Sequence, residues 1–238
     1  MFLPHLVQVK YMKINIKKFV CLSCIIIFWL LLYFFYSVSV MDTNQTKGWK
    51  EIHFAARDNS VGKIVELINL GIDVDKKTNI GITPLWIASA YGSADAVKAL
   101  VQNGANVNLC SGSYLPPVSR AAMNGHEEIV KILIDNGADI HGKFSHAYTM
   151  LHAAASGGYI EPVKLALKHG VDINAKNIIN QTPLFLASAL GHIDVVKFLL
   201  DHGATPNIRC KTNRTDIEIA RERGYPEIVE ILTKHLEK

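Results

Sequence analysis

Thr182-Pro183-Leu184-Phe185-Leu186-Ala187-Ser188-Ala189-Leu190-Gly191-His192-Ile193-Asp194-Val195-Val196-Lys197-Phe198-Leu199-Leu200-Asp201-His202-Gly203 decides how this chain folds. It contains two short apolar runs, each closed by a glycine, and each glycine belongs to a series. Gly71, Gly104, Gly137, Gly170 and Gly203 recur every 33 residues, and Gly92, Gly125, Gly158, Gly191 and Gly224 keep the same step. A helix often ends on a residue with positive φ, which glycine adopts without steric cost. Two glycines per period therefore predict two short helices per unit, repeated in register.

The residues between the glycines fit that reading. Thr83-Pro84-Leu85, Thr149-Met150-Leu151, Thr182-Pro183-Leu184 and Thr215-Asp216-Ile217 stand ahead of the first helices, with Ala88, Ala154, Ala187 and Ala220 following three residues later. Threonine hydroxyls cap orphan amides, and proline suits the first helical position because no donor is needed there. The second helices are more apolar, as in Ile64, Val65, Leu67 and Ile68, or Ile129, Val130, Ile132, Leu133 and Ile134. One partner helix cannot cover such a face, so the next unit must bury it.

With Thr182 to Ala187, Gly191 to Leu200, Gly203-Ala204 and Asn207 in this register, the chain resembles the ankyrin repeat family over roughly residues 49 to 238. The resemblance implies an all-α repeat solenoid of helix-turn-helix units joined by β-turn fingers, at about 49–79, 80–112, 113–145, 146–178, 179–211 and 212–238. The third unit departs from the family pattern, reading Pro116-Pro117-Val118-Ser119 in place of Thr-Pro-Leu-His. Only His152 is expected to keep the family's histidine, with Trp86, Phe185 and Glu218 replacing it elsewhere. The first and last units read as caps, because Asn59 stands where later units have glycine and the last unit is rich in charge.

Residues 1–18 form a basic segment with Lys10, Lys13, Lys17 and Lys18, and residues 19–41 carry no charge at all. As a helix those residues would span roughly 34 Å, enough to cross a hydrocarbon core of about 30 Å. A single transmembrane helix is therefore expected at 19–41, followed by a linker at 42–48. The lysines before it predict a cytoplasmic N-terminus and repeats on the non-cytoplasmic side. Two alternatives remain open. Ser37-Val38-Ser39 has the small-residue pattern of a signal-peptide cleavage site, which would make the protein secreted, and Met41 could begin a shorter chain.

The formal charge of +4 equals the contribution of those four lysines, since no acid precedes Asp42, so the repeats themselves are balanced. The basic isoelectric point is thus no argument for nucleic-acid binding. Cys21 and Cys24 lie in the apolar run without further ligands, while Cys110 and Cys210 are separated by three repeat steps and are expected to be free thiols. The histidines mostly fall at repeat positions beside glycines, and no nucleophile, base and orienting group stand at catalytic spacing. The glycines punctuate helices and form no phosphate loop. No enzyme, cofactor, metal, nucleic acid or small-molecule substrate is expected. Asn44, Asn180 and Asn213 head glycosylation sequons, which matter only in a secretory lumen.

Partner binding remains. The resemblance implies that partners meet the fingers and the exposed side of the first helices. In the fingers this selects Ile80, Ile82, Tyr114, Leu115, Phe144, His146, Tyr148, Ile178 and Ile179, and in the first helices Tyr91, Met123, Asn124, Leu190 and Arg223. Ile80, Ser113, His146, Ile179 and Thr212 occupy finger positions where the family usually has Asp. As a row these residues form a candidate apolar contact patch.

Overall fold

The computed structural model describes residues 49–110, 115–142 and 145–237, and the expected transmembrane segment and its flanks lie outside them. The described residues form twelve α-helices and no strand. The helices come in consecutive pairs: α1 (Glu51–Arg57) with α2 (Val61–Asn69), α3 (Pro84–Tyr91) with α4 (Ala94–Gln102), and α5 (Pro117–Met123) with α6 (Glu127–Asp135). They continue as α7 (Met150–Gly157) with α8 (Ile160–Lys168), α9 (Pro183–Leu190) with α10 (Ile193–Asp201), and α11 (Asp216–Arg223) with α12 (Pro226–Leu236). Each first helix packs on the first helices before and after it, and each second helix does likewise, so the repeats stack as two parallel layers. No helix among the described residues is long and apolar enough to cross a membrane.

The predicted start and stop signals operate as local chemistry. Thr83, Thr182 and Thr215 accept hydrogen bonds from the amides of Trp86, Phe185 and Glu218 at 3.2, 3.1 and 3.3 Å. At the other end of α3, Gly92 adopts φ 79° and its amide reaches the Ala88 carbonyl. Gly92 has a second reason to be glycine. A Cβ there would stand 2.7 Å from Cε1 of His126, which the next unit lays over it. Asn59 takes the same left-handed role in the first unit at φ 53°, and its carboxamide oxygen accepts from the Ala96 amide at 2.8 Å.

Packing follows the 33-residue step. Ala55, Ala88, Ala121, Ala154, Ala187 and Ala220 fall at one position of successive first helices, and all are buried. Side chains of one carbon let those helices approach closely. Along the second helices Leu67, Leu100, Leu133, Ala166, Leu199 and Leu232 form the corresponding buried row, and both rows belong to one continuous apolar core. A core so built is a chain of nearest-neighbour interfaces rather than one central cluster.

Short hairpins link the pairs. Three of them are closed by a backbone bond, Thr78 N to Ile82 O at 2.9 Å, Asn177 N to Gln181 O at 3.0 Å, and Cys210 N to Arg214 O at 2.9 Å. Successive fingers also bond to one another, from the Ile178 amide to the His146 carbonyl and from the Lys211 amide to the Ile179 carbonyl.

The histidine position shows how a family contact survives a change of residue. His152 is fully buried, takes the Thr149 amide on Nδ1 at 3.2 Å and donates from Nε2 to the Gln181 carbonyl at 3.1 Å. His53, which the sequence reading left out of this set, does the same with the Lys50 amide and the Lys76 carbonyl. In the second unit Trp86 donates from Nε1 to the Leu115 carbonyl at 2.7 Å, the position equivalent to Gln181. Phe185 has no donor and instead packs with Tyr148, Leu186, Cys210 and Ile219.

Two outcomes test this packing. Leu133→Ala opens a cavity in the central second-helix row and is expected to cost about 2 to 5 kcal/mol in chemical denaturation. The exposed Gln102→Ala is expected to stay within about 0.5 kcal/mol. The second outcome concerns pH. Burial holds the His152 imidazole down to about 4 from its usual 6.5, so the unfolded chain takes up that proton first. The contribution is therefore complete above pH 6.5 and is lost as pH falls toward 4, by up to roughly 3 kcal/mol. Urea denaturation across that window should show a shallower decline in His152→Gln than in the parent.

Candidate partner-binding surface

Where the hairpin's closing pair is described, it determines what the tip can offer. Residues inside the pair, such as Ile80 in the first finger and Ile178 and Ile179 in the fourth, lie at the turn. The residue that closes the pair sits just before the capping threonine and turns back beneath the finger. Ile80 and Ile178 are accordingly 43% and 48% exposed, and Ile179 is half-buried. His146 is exposed at the third tip, where φ of 61° at His146 and 58° at Ala147 bend the chain through two successive left-handed residues.

Two residues expected on this surface are not available to a partner. Ile82 is 6% and Tyr148 9% exposed, because both occupy the closing position and point toward the first helices. Tyr148 packs against Phe185 and sits 5.2 Å from the His152 ring, and burial pushes its phenol up to about 12. Alternation of side chains across the hairpin places them there. Leu115 occupies the same position, is half-buried and packs against the Tyr148 and Phe185 cluster. Tyr114 and Phe144 lie outside the described residues.

The first helices contribute a mixed set. Tyr91 is 39% exposed at the end of α3. Met123, Asn124, Leu190 and Arg223 are half-buried. Asn124 has a structural role, since its Nδ2 donates to the Ala90 carbonyl of the preceding unit at 2.7 Å.

One buried charge was not among the residues expected here. Arg120 stands on α5 at the place where other first helices carry Ile87, Ala153, Leu186 and Ile219. Its guanidinium lies 4.9 Å from the centre of the Trp86 ring, and Nη1 approaches Met123 Sδ at 3.9 Å. The Tyr91 phenol is raised by burial, with Arg57 and Arg120 drawing it back. Trp86 and Arg120 are each 5% exposed, so their stack is buried beneath the first-helix surface, and only Tyr91 beside it is open to a partner. A charged residue at an otherwise apolar repeat position was the available signal.

A groove of about 480 Å³ opens where one inter-unit contact changes. Asp75, Asn108 and Asn174 each accept a backbone amide of the following unit, from Asn106, Asp139 and Thr205. His141 occupies the same register position and lines the groove with Thr149, Asp172 and Lys176. Among the described residues no group of three or more His, Cys, Asp or Glu could hold a metal ion. Cys110 and Cys210 are free thiols.

The comparisons with known proteins agree with this geometry. The family model for ankyrin repeats (3 copies) matches residues 23–111, 109–177 and 151–238. The crystal structure of the human ASB11 ankyrin repeat domain is similar at 26% identity and a TM-score of 0.72, over 79% of this chain and 84% of that one. Because 568 solved chains match, the likeness identifies the scaffold and does not single out a partner. No curated protein matches the chain. With the family model covering most of its length and the stacked helix pairs following the same register, the chain belongs to the ankyrin repeat family.

Proposed function

We propose that the protein is a non-enzymatic protein-binding scaffold that engages its partner through the finger tips and the exposed side of the first helices. The observation that carries this reading is the exposure of Ile80, Tyr91 and Ile178 on that side. Leaving large apolar side chains in water stabilises nothing in the free protein, and burying them against a partner recovers their transfer free energy. Beneath Tyr91 the buried stack of Arg120 on Trp86 supports the same first-helix layer.

The scaffold is held at a membrane by residues 19–41, with the repeats on the non-cytoplasmic side. The uncharged run and the lysines ahead of it support this orientation. A second reading, a secreted binding protein, draws on Ser37-Val38-Ser39, and the mature N-terminus found by mass spectrometry separates the two.

Replacing Ile80, Ile178 and Ile179 together by Ser should abolish partner capture from native lysate while circular dichroism stays helical, since all three lie outside the helices. Unchanged capture would move the site to the second-helix face. For topology, protease applied to sealed cells from the non-cytoplasmic side should digest the repeats; protection there, with digestion from the cytoplasmic side, would falsify the orientation.

A further inference from the structure

Among the described residues, the lysines of the second helices differ from those of the fingers. On the second helices Lys63, Lys98, Lys131, Lys164, Lys197 and Lys234 each have a carboxylate within 4.0 Å, with Lys98 and Lys197 reaching Glu128 and Glu227 of the next unit at 2.7 and 3.1 Å. Lys168, the exception there, sits in the last turn of α8, where the helix dipole favours a cation. The finger lysines differ. Lys76, Lys77, Lys176 and Lys211 are exposed and make no ion pair among the described residues.

The sequence around them explains why. Residues 76–83, 109–116, 142–149, 175–182 and 208–215 contain seven Lys or Arg and not one Asp or Glu, although the repeats as a whole are balanced. Acids occur at the finger bases, and there they serve the backbone. Asp73, Asp139 and Asp172 accept amides of their own turns, and Asp75 accepts the Asn106 amide. Arg209 and Arg214 are tied to Glu218 and Glu222 at 3.3 and 2.8 Å. A basic row interrupted by Ile80, Ile178 and Ile179 is what remains at the tips.

We propose that the fingers take an extended acidic peptide segment whose carboxylates meet Lys76, Lys77, Lys176 and Lys211 and whose aliphatic side chains cover Ile80 and Ile178. This rests on the finger-side binding proposed above and names the chemistry of its partner. First and fifth fingers are four stacking steps apart, roughly 30 to 40 Å at 8 to 10 Å per step. An extended strand rising about 3.3 Å per residue covers that in about ten to twelve residues. A peptide is favoured over a nucleic acid because the side chains beside the lysines are aliphatic and offer no flat platform for bases.

The test is selection of displayed random peptides of about twelve residues, the length set by the strand rise, on the purified full chain. The expected pool is enriched in Asp and Glu with aliphatic residues between them. Replacing Lys76, Lys77, Lys176 and Lys211 together by Glu should turn the preference toward Lys and Arg. Reversal of Lys98 and Lys164 on the second helices should leave it acidic. A selected acidic peptide should bind the finger variant at least roughly tenfold more weakly at about 50 mM salt, with the difference shrinking at about 500 mM. A pool without acidic bias, or no enriched pool, overturns the proposal, as does an oligothymidine of the same length that displaces the peptides more effectively than an acidic peptide does. If the parent's pool lacks acidic bias yet the variant with Ser at 80, 178 and 179 loses it entirely, finger-side binding stands and the acidic partner falls. If that variant and the lysine variant both select the parent's pool, both proposals fall.

Discussion

Close approach of successive first helices is the constraint on which the other features depend. It requires a side chain no larger than a methyl group at residues 55, 88, 121, 154, 187 and 220, and alanine stands at each. With that spacing met, the second helices come into register and bury their leucines, and neighbouring fingers come near enough to share backbone hydrogen bonds. A larger residue at one of these positions would separate two units, and the loss would fall on every contact between them. Interiors packed at crystal-like density have little room to absorb such a change.

Some of the polar groups buried by this stacking are satisfied locally. His53, Trp86 and His152 carry a hydrogen bond from the first helix to a backbone carbonyl of the following finger, so this link is made in three units by two kinds of ring. In the sixth unit Glu218 reaches back to the Thr215 amide at 2.9 Å and pairs with Arg209. Asp216, buried beside it, accepts the Asn207 amide at 2.7 Å, and its carboxyl is raised to about 6 by burial. Unlike His152, this group favours the folded state in acid, and its contribution fades as pH rises through 6.

The two layers present different surfaces. Second helices expose lysine and carboxylate pairs that neutralise one another, partly across unit boundaries, and each exposed pair adds little to stability. Fingers expose lysines and isoleucines without that compensation. A balanced protein thereby carries a locally basic, apolar edge, and local rather than net charge is what a docking segment meets.

By itself the sequence determined the class of fold, the helix pairs and their order. These rest on short-range rules: positive φ at glycine, capping by threonine, and an apolar face too wide for one partner. The candidate surface was legible only as a row of fingers. Which finger residues reach solvent depends on the hairpin's closing pair, Thr78 with Ile82 and Asn177 with Gln181, and that pairing buried Ile82 and Tyr148 while leaving Ile80 and Ile178 outside. The stack of Arg120 on Trp86, the His126 ring laid over Gly92, and the equivalence of Trp86 with the histidines all join residues of different units or different side-chain chemistry. Tertiary structure alone decided them, because they depend on where a neighbouring unit places its backbone, which local propensity does not encode.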